Sequence, residues 1–228
     1  MRVEKRSTLG RSTGTIAASA AGTEQDRIMA ATLPIASLFA PDVALRQDDL
    51  DEATLRACCR RDPVALRRWV VRYERVVFAF LSRSLGGGPQ VEDLAQEVFL
   101  RAFQGLSRFD PKGPARFTTW LLAIAAHVVS ETRRKGRFRL EPLEDSAHEY
   151  GGDGPDQVRH RNELARAFQN AAAQLPEEQR DVFVLAEFHG LTMAEIAAVL
   201  EVPENTVKTR LFRAREKLRE LLAPVWEA

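Results

Sequence analysis

LTMAEIAAVLEVPENTVKTRLFRAREKLRELL, residues 191–222, is the stretch of this chain that decides its fold. Thr192 is followed three residues later by Glu195, and this spacing directly before an apolar run is typical of a capped helix start. Residues 201–203 (EVP) predict a tight turn, because proline cannot continue the preceding helix. A second, longer helix is predicted over 204–222. Two helices joined by so short a turn indicate a helix-turn-helix.

The longer helix combines a buried stripe with polar residues that suit DNA. Its apolar positions recur every three or four residues and comprise Val207, Leu211, Ala214, Leu218 and Leu221 or Leu222. The polar positions of its first turns are Asn205, Thr206, Lys208, Thr209, Arg210 and Arg213. Asn and Arg can read base edges through paired hydrogen bonds, whereas Lys and Thr suit phosphates. The pattern favours a helix that enters the major groove by its N-terminal end. The alternative is a solvated charged helix in an ordinary bundle.

Further helices are predicted upstream of this pair. In the same domain they are expected at about 158–174 and 177–188, before the helices at 193–200 and 204–222. Residues 141–157 carry six acidic residues and no Lys or Arg, which predicts a flexible acidic linker. We therefore expect an all-α protein with two small helical domains joined by this linker, the second a helix-turn-helix domain.

The first domain is expected to contain three amphipathic helices. Its first pattern runs from Asp49 to Leu85, with Asp62 and Pro63 marking an N-cap and first helical position inside it. The next two helices are predicted at about 91–106 and 115–135. The apolar face predicted for the helix at 91–106 carries Leu94, Val98 and Phe103, flanked by Val91, Phe99 and Ala102.

The helix at 115–135 carries residue types that can hold a single DNA strand by stacking and phosphate contact. They are Thr118, Thr119 and Trp120 at its start, His127 and Ser130 further along, and Arg133, Arg134, Lys135 and Arg137 at its end. Trp120 lies on the apolar stripe, so core packing is an equal alternative for it. His127 is interpreted either as a partly buried structural residue or as a DNA contact.

A third constellation lies on the helix at 91–106. Asp93, Gln96, Glu97 and Arg101 share one helical face at spacings of three and four residues. By spacing and charge alone, this pattern indicates a solvated face with internal salt bridges.

Composition excludes several classes of protein. The chain of 228 residues has a formal net charge of +1, whereas a protein that binds DNA unaided is usually basic. We therefore expect it to meet DNA while held by a larger partner. We find no paired nucleophile and base, metal cluster or phosphate loop, so we expect neither an enzyme nor a cofactor. Without a membrane span or signal peptide, the expected location is the cytoplasm.

Four segments together resemble the extracytoplasmic-function sigma factors. They are RDPVAL at 61–66 with Tyr73 downstream, DLAQEVFLRAF at 93–103, FTTWL at 117–121 and TVKTRLFRAREKL at 206–218. Their order and the intervening linker also match, and the resemblance covers about residues 50–222.

The resemblance implies a domain plan and a set of partners. Residues 46–140 would form sigma region 2, which binds core RNA polymerase through Asp93, Gln96, Glu97 and Arg101 and opens the −10 promoter element. Residues 158–228 would form region 4, whose helix-turn-helix reads the −35 element. An anti-sigma factor would hold the protein inactive, and the free chain would be a monomer. One departure is Ala126-His127, where the family commonly carries Asn or a similar polar residue.

Two other functions remain open at the level of sequence. One is a stand-alone helix-turn-helix repressor, and the other is a sigma-like decoy that titrates an anti-sigma factor without binding a promoter. Residues 1–45 lack a sustained apolar period and are expected to form a disordered extension. Met29 is a candidate alternative translation start.

Overall fold

The computed structural model describes residues 50–86, 88, 90–113, 115–136, 163 and 166–226. The first domain comprises α1 (Glu52–Cys59), α2 (Pro63–Leu85), α3 (Gln90–Gly105), a short 3-10 turn (Leu106–Arg108) and α4 (Phe117–Arg134). The second comprises α5 (166–173), α6 (Glu177–Phe183), a π-turn (Val184–Phe188), α7 (Met193–Leu200) and α8 (Glu204–Trp226). Within these ranges every regular element is helical, so the all-α class is confirmed.

Helix α2 begins where the sequence indicates. The Asp62 carboxylate accepts a hydrogen bond from the Ala65 amide at 2.8 Å, and Pro63 occupies the first helical turn. The helix ends at Gly86, whose φ of 92° lies in a region that only glycine adopts readily. Its apolar residues recur every three or four positions; Trp69, Tyr73, Val76, Val77, Phe80 and Leu81 are buried, while Leu66 and Val70 are half-buried.

The core of the first domain forms where α2, α3 and α4 pack together. Trp69 meets Phe99 and Phe117 edge to face, at ring-centroid distances of 5.3 and 6.5 Å. The face predicted for α3 is partly wrong, because Leu94, Phe99 and Phe103 are only half-buried. The residues of α3 that are buried are Val91, Ala95, Val98 and Ala102. Two alanines let neighbouring helices approach closely, and the larger side chains pack at the rim.

The second domain contains the helix-turn-helix. The predicted capping box is formed: the Thr192 hydroxyl accepts from the Glu195 amide, and the Glu195 carboxylate accepts from the Thr192 amide. Between α7 and α8 the chain turns at Glu201, which adopts the left-handed conformation with φ 54°. The stripe of α8 is buried as predicted, with Leu222 buried and Leu221 half-buried at the alternative positions.

A buried arginine organises the start of the second domain. The Arg180 guanidinium donates to the carbonyls of Ala172, Ala173 and Leu175 at 2.9–3.0 Å. The first two carbonyls lie at the carboxyl end of α5, where helical partners run out, and the third lies in the turn that follows. Burial, followed by the nearby Arg133 charge, lowers the pKa of Arg180. One cation therefore closes α5 and fixes α6 beside it.

The two domains meet at the carboxyl end of α2. The Ser84 carbonyl accepts hydrogen bonds from Arg133 of α4 at 2.8 Å and from Arg180 of α6 at 3.1 Å. Asp181 accepts two hydrogen bonds from Arg133, at 2.6 and 3.0 Å. We refer to Ser84, Arg133, Arg180 and Asp181 as the inter-domain junction. The Asp181 carboxylate offsets the repulsion between the two arginines.

Several sequence predictions lie outside the described residues. They are the extension over 1–45 with its possible start at Met29, the acidic linker over 141–157, and Arg137. None of the helices described here is long and apolar enough to cross a membrane.

Substituting Arg180 tests its part in the second domain. We expect Arg180→Leu to lower the free energy of unfolding by at least about 2 kcal/mol, because buried carbonyls lose a charged donor. Arg180→Lys should recover only part of this loss, since one ammonium cannot reach the same carbonyls in parallel. The measurement is urea denaturation followed by circular dichroism. Arg219→Leu, on the exposed face of α8, is the control, and an equal effect of both leucine variants would contradict this role.

Candidate polymerase and promoter interfaces

The N-terminal turns of α8 present a polar face to solvent. Asn205, Lys208, Thr209 and Arg213 are exposed, whereas Thr206 and Arg210 are half-buried. The Arg210 guanidinium pairs with Glu178 of α6 at 2.5 Å, so it is directed toward the neighbouring helix. The Thr209 hydroxyl donates to the Asn205 carbonyl one turn earlier. Of the two arginines predicted to contact DNA, Arg213 is the one on the open face.

The threonines at the start of α4 are not exposed. Thr118 and Thr119 are both buried, and the Thr119 hydroxyl lies 3.2 Å from the Glu195 carboxylate of α7. Trp120 is half-buried against Phe109 and Phe117, with ring centroids 5.3 and 5.2 Å away. The packing alternative for Trp120 is therefore observed. In this arrangement a residue of the second domain lies against the Thr119 hydroxyl.

The remaining candidates on α4 occupy two different environments. His127 is 65% exposed and its Nε2 lies 2.9 Å from Glu131, so the alternative in which it packs in the core is wrong. His127 lies seven residues after the half-buried Trp120, at the edge of the buried stripe of α4. Ser130, Arg134 and Lys135 are also exposed. Arg133, in contrast, is engaged by Asp181 and Ser84 at the inter-domain junction.

The predicted polymerase face on α3 is assembled as a surface. Asp93 and Gln96 are exposed, while Glu97 and Arg101 are half-buried. Arg101 donates to Glu97 at 2.6 Å and, through two nitrogens, to both oxygens of Glu131 at 3.1 and 2.9 Å. The internal salt bridge expected from spacing is present, and Arg101 also ties α3 to α4.

The contacts with Arg101 lower the pKa of the Glu131 carboxyl. Hydrogen bonds from Arg101 lower the pKa of Glu131 to about 2, from an ordinary value of 4.5. Charge on the carboxylate is thus favoured in the folded state. The contribution of the Glu131–Arg101 interaction to the stability of the fold is complete above about pH 4.5 and is lost as the pH falls through about 2.

One exposed apolar residue beside this face was not singled out from the sequence. Leu100 is a large apolar side chain that is 53% exposed, and it lies one turn after Gln96 and Glu97. Protein interfaces commonly have an apolar centre within a polar rim. Its position in the sequence could have indicated this exposure, because Leu100 falls between the predicted buried residues of α3 and the polar face of that helix.

Other kinds of site are not found in the described part of the chain. There, no group of three or more His, Cys, Asp or Glu side chains is placed to hold a metal ion. The fold and its surfaces define a two-domain helical protein that presents a helix-turn-helix.

Comparison with known families identifies the chain more closely. Residues 69–139 match the model of sigma-70 region 2, and residues 165–218 match that of sigma-70 region 4. The ECF RNA polymerase sigma-E factor of Escherichia coli K12 is 31% identical over 185 residues, covering 77% of this chain and 95% of that protein. The chain belongs to the extracytoplasmic-function (ECF) group of the sigma-70 family of RNA polymerase sigma factors.

Two solved structures have the same fold. CnrH, solved in complex with the cytosolic domain of CnrY, is 28% identical with a TM-score of 0.57, over 76% of this chain and 97% of CnrH. The sigma factor RpoE of Bartonella quintana, solved with the anti-sigma factor NepR, is 22% identical with a TM-score of 0.56. The match covers 69% of this chain and 96% of that one.

Replacing Arg101 by lysine tests the clamp between α3 and α4. We expect Arg101→Lys to raise the pKa of Glu131 toward its ordinary value, because an ammonium cannot form the paired hydrogen bonds. Carboxyl chemical shifts followed by NMR during an acid titration would measure the change. Lys135→Ala is the control, since Lys135 lies 4.0 Å from Glu131 and contributes less to its pKa. An unchanged pKa in Arg101→Lys would contradict the assignment.

Proposed function

We propose that this sigma factor divides promoter recognition between its two domains, with residues 46–140 acting as region 2 and 158–228 as region 4. As a sigma factor, it binds core RNA polymerase and directs promoter recognition in transcription initiation, and it is not an enzyme. The observation that supports the division best is the polar face of α8, where Asn205, Lys208 and Arg213 are exposed opposite a fully buried stripe.

We assign core polymerase binding to the face of α3 that carries Asp93, Gln96, Glu97 and Arg101, with Leu100 added to it. The Leu100 side chain supplies apolar surface that is buried from water on binding, and the surrounding charges supply specificity. Arg101 acts here chiefly as a positioning residue, because its nitrogens are taken by Glu97 and Glu131.

The −35 element is assigned to the first turns of α8. Arg213 can read a base edge, while Lys208 and Thr209 suit phosphates. Arg210 is held by Glu178 and is better placed to orient the helix on α6.

The −10 element is assigned to α4. Ser130, Arg134, Lys135 and His127 are accessible on it and Thr118 is buried, whereas Thr119 and Arg133 are held by residues of the second domain. Arg137 belongs to the same proposal by sequence. We place the protein in the cytoplasm, where polymerase and chromosome meet, and propose an anti-sigma factor as its regulator.

Leu100 provides the sharpest test of the polymerase surface. Leu100→Ala should weaken core binding about tenfold, as truncation of an interface anchor does. Asp93→Ala, as a separate variant, should weaken binding by more than this. Binding of labelled protein to core polymerase would be measured by fluorescence anisotropy. Val71→Ala removes an equally exposed apolar side chain from α2 and should bind normally. Wild-type affinity in both α3 variants would remove this assignment.

Single substitutions on α8 separate base reading from phosphate contact. Arg213→Ala should lose about 1–3 kcal/mol of preference at one promoter position, whereas Lys208→Ala should weaken all sequences alike and reduce the salt slope by about 1. Transcription from a promoter library with core polymerase, at two salt concentrations, gives both quantities. Arg219→Ala, further along α8, is the charge-matched control. If neither variant differs from this control, the helix does not read DNA, and the decoy function becomes the better one.

A further inference from the structure

The two arginines on the first turns of α8 have different surroundings. Arg213 is exposed and forms no ion pair with another described residue. Arg210 is half-buried, and its Nη2 lies 2.5 Å from Oε2 of Glu178, which belongs to the first turn of α6. One of the two guanidinium groups is therefore held by an acidic partner, whereas the other is open to a ligand.

Arg210 lies on the same side of α8 as residues that we assign to DNA. It follows Thr206 by four residues and precedes Arg213 by three, which are the spacings of neighbours on a helix surface. Thr206 is half-buried like Arg210, so this side of α8 extends from the edge of the buried stripe to open surface. The long side chain of Arg210, once released from Glu178, can turn toward the groove that Arg213 faces.

The packing of α6 places the Glu178 carboxylate at the edge of α8. Glu177 and Asp181 of α6 are four residues apart and both face Arg133, at 3.6 and 2.6 Å. Glu178 lies on another side of α6, where α8 packs against this helix. Because the Glu178 side chain is 69% exposed, its carboxylate stands at the border between α8 and solvent.

Held in this pairing, Arg210 cannot read a base in the way that arginine usually does. An arginine recognises guanine through two N–H donors directed at O6 and N7, in the planar fork that it also uses for carboxylates. Nη2 of Arg210 is occupied by Glu178. The two terminal nitrogens of Arg210 are therefore not available together to a base.

DNA opposes the breaking of this ion pair. While Glu178 is paired with Arg210, the two side chains together present no net charge to the phosphate backbone. If Arg210 left for a base, an unpaired carboxylate would remain beside the phosphates and would repel them. Binding to the −35 element thus favours the paired arrangement that the structure shows.

We propose that Glu178 is a specificity-determining residue: it keeps Arg210 away from the bases of the −35 element and leaves base reading on this side of α8 to Arg213. The proposal rests on the assignment of the −35 element to α8. It adds a residue outside the helix-turn-helix to those that set promoter preference, and it gives Arg210 the role of neutralising Glu178.

The test uses the full chain with core polymerase and a promoter library randomised over the −35 element. Glu178→Gln keeps the shape of the side chain, removes its charge and releases Arg210. Arg210→Ala, and the double variant that combines both changes, complete a mutant cycle. The control is Glu204→Gln, which removes an exposed acid from the first turn of α8 and leaves the pairing of Arg210 intact. Circular dichroism and thermal melting establish that each variant is folded.

Release of Arg210 should add a base preference that the wild type lacks. We expect Glu178→Gln to favour guanine about tenfold at one further position of the −35 element, and the double variant to lose this gain. Arg210→Ala should keep the wild-type preferences and lower transcription evenly, because Glu178 is left unpaired beside the phosphates. The Glu204→Gln control should keep the wild-type preferences.

A modified base tests the chemistry of the new contact. 7-Deazaguanine lacks the N7 acceptor, so placing it at the new position should remove most of the gain of Glu178→Gln and leave the wild type unaffected. A gain that survives this replacement would count against the proposal.

The cycle has clear contrary results. The proposal is overturned if Glu178→Gln and the control have the same base preferences, if Arg210→Ala alters the wild-type preferences, or if the double variant retains the new one. Failure of the proposed function is seen separately, as a wild-type chain with no base preference in the −35 element or one in which Arg213→Ala changes nothing.

Discussion

The carboxyl end of α2 must satisfy carbonyl groups that have no partner within the helix, and the packing of both domains depends on how this is done. Ser84 receives hydrogen bonds from Arg133 and Arg180, which also suit the negative end of the helix dipole. Two guanidinium groups at one carbonyl repel each other, so a carboxylate is required beside them. Asp181 supplies it. Because Arg180 also closes α5, one buried cation links the ends of two helices that belong to different domains.

Burial of amphipathic faces explains the rest of the architecture and leaves the functional surfaces outside. On α8 the apolar stripe is buried against α6 and α7, so the polar residues of its first turns face solvent. On α3, burial of the apolar face likewise leaves Asp93 and Gln96 exposed, together with about half of the Leu100 surface. Each surface assigned to a large partner is thus the solvent-facing side of a helix whose other side packs in the core. A substitution on such a surface can change binding without changing the fold.

Features set by residues close together in the sequence could be predicted from it, and features set by packing between helices could be predicted only in part. The caps of α2 and α7 involve residues three positions apart, and both were predictable from Asp62 and Thr192. The buried face of α3 was only partly predictable. Hydrophobicity favoured Leu94 and Phe103, but close helix packing selected alanines, which carry little apolar signal. His127 was ambiguous because its position lies at the edge of a stripe, where a small rotation of the helix decides exposure.

The sequence by itself determined the helices, their caps, the helix-turn-helix and the residue types offered to DNA and polymerase. These follow from periodicity and local hydrogen bonding, which act over a few residues. Tertiary structure alone decided which of those residues are accessible. Thr119 and Arg133 read as nucleic-acid contacts along the chain, yet they are held by Glu195 and Asp181, 76 and 48 residues away. No local pattern contains such a pairing, because two polar groups so distant in sequence become neighbours only when the domains pack together.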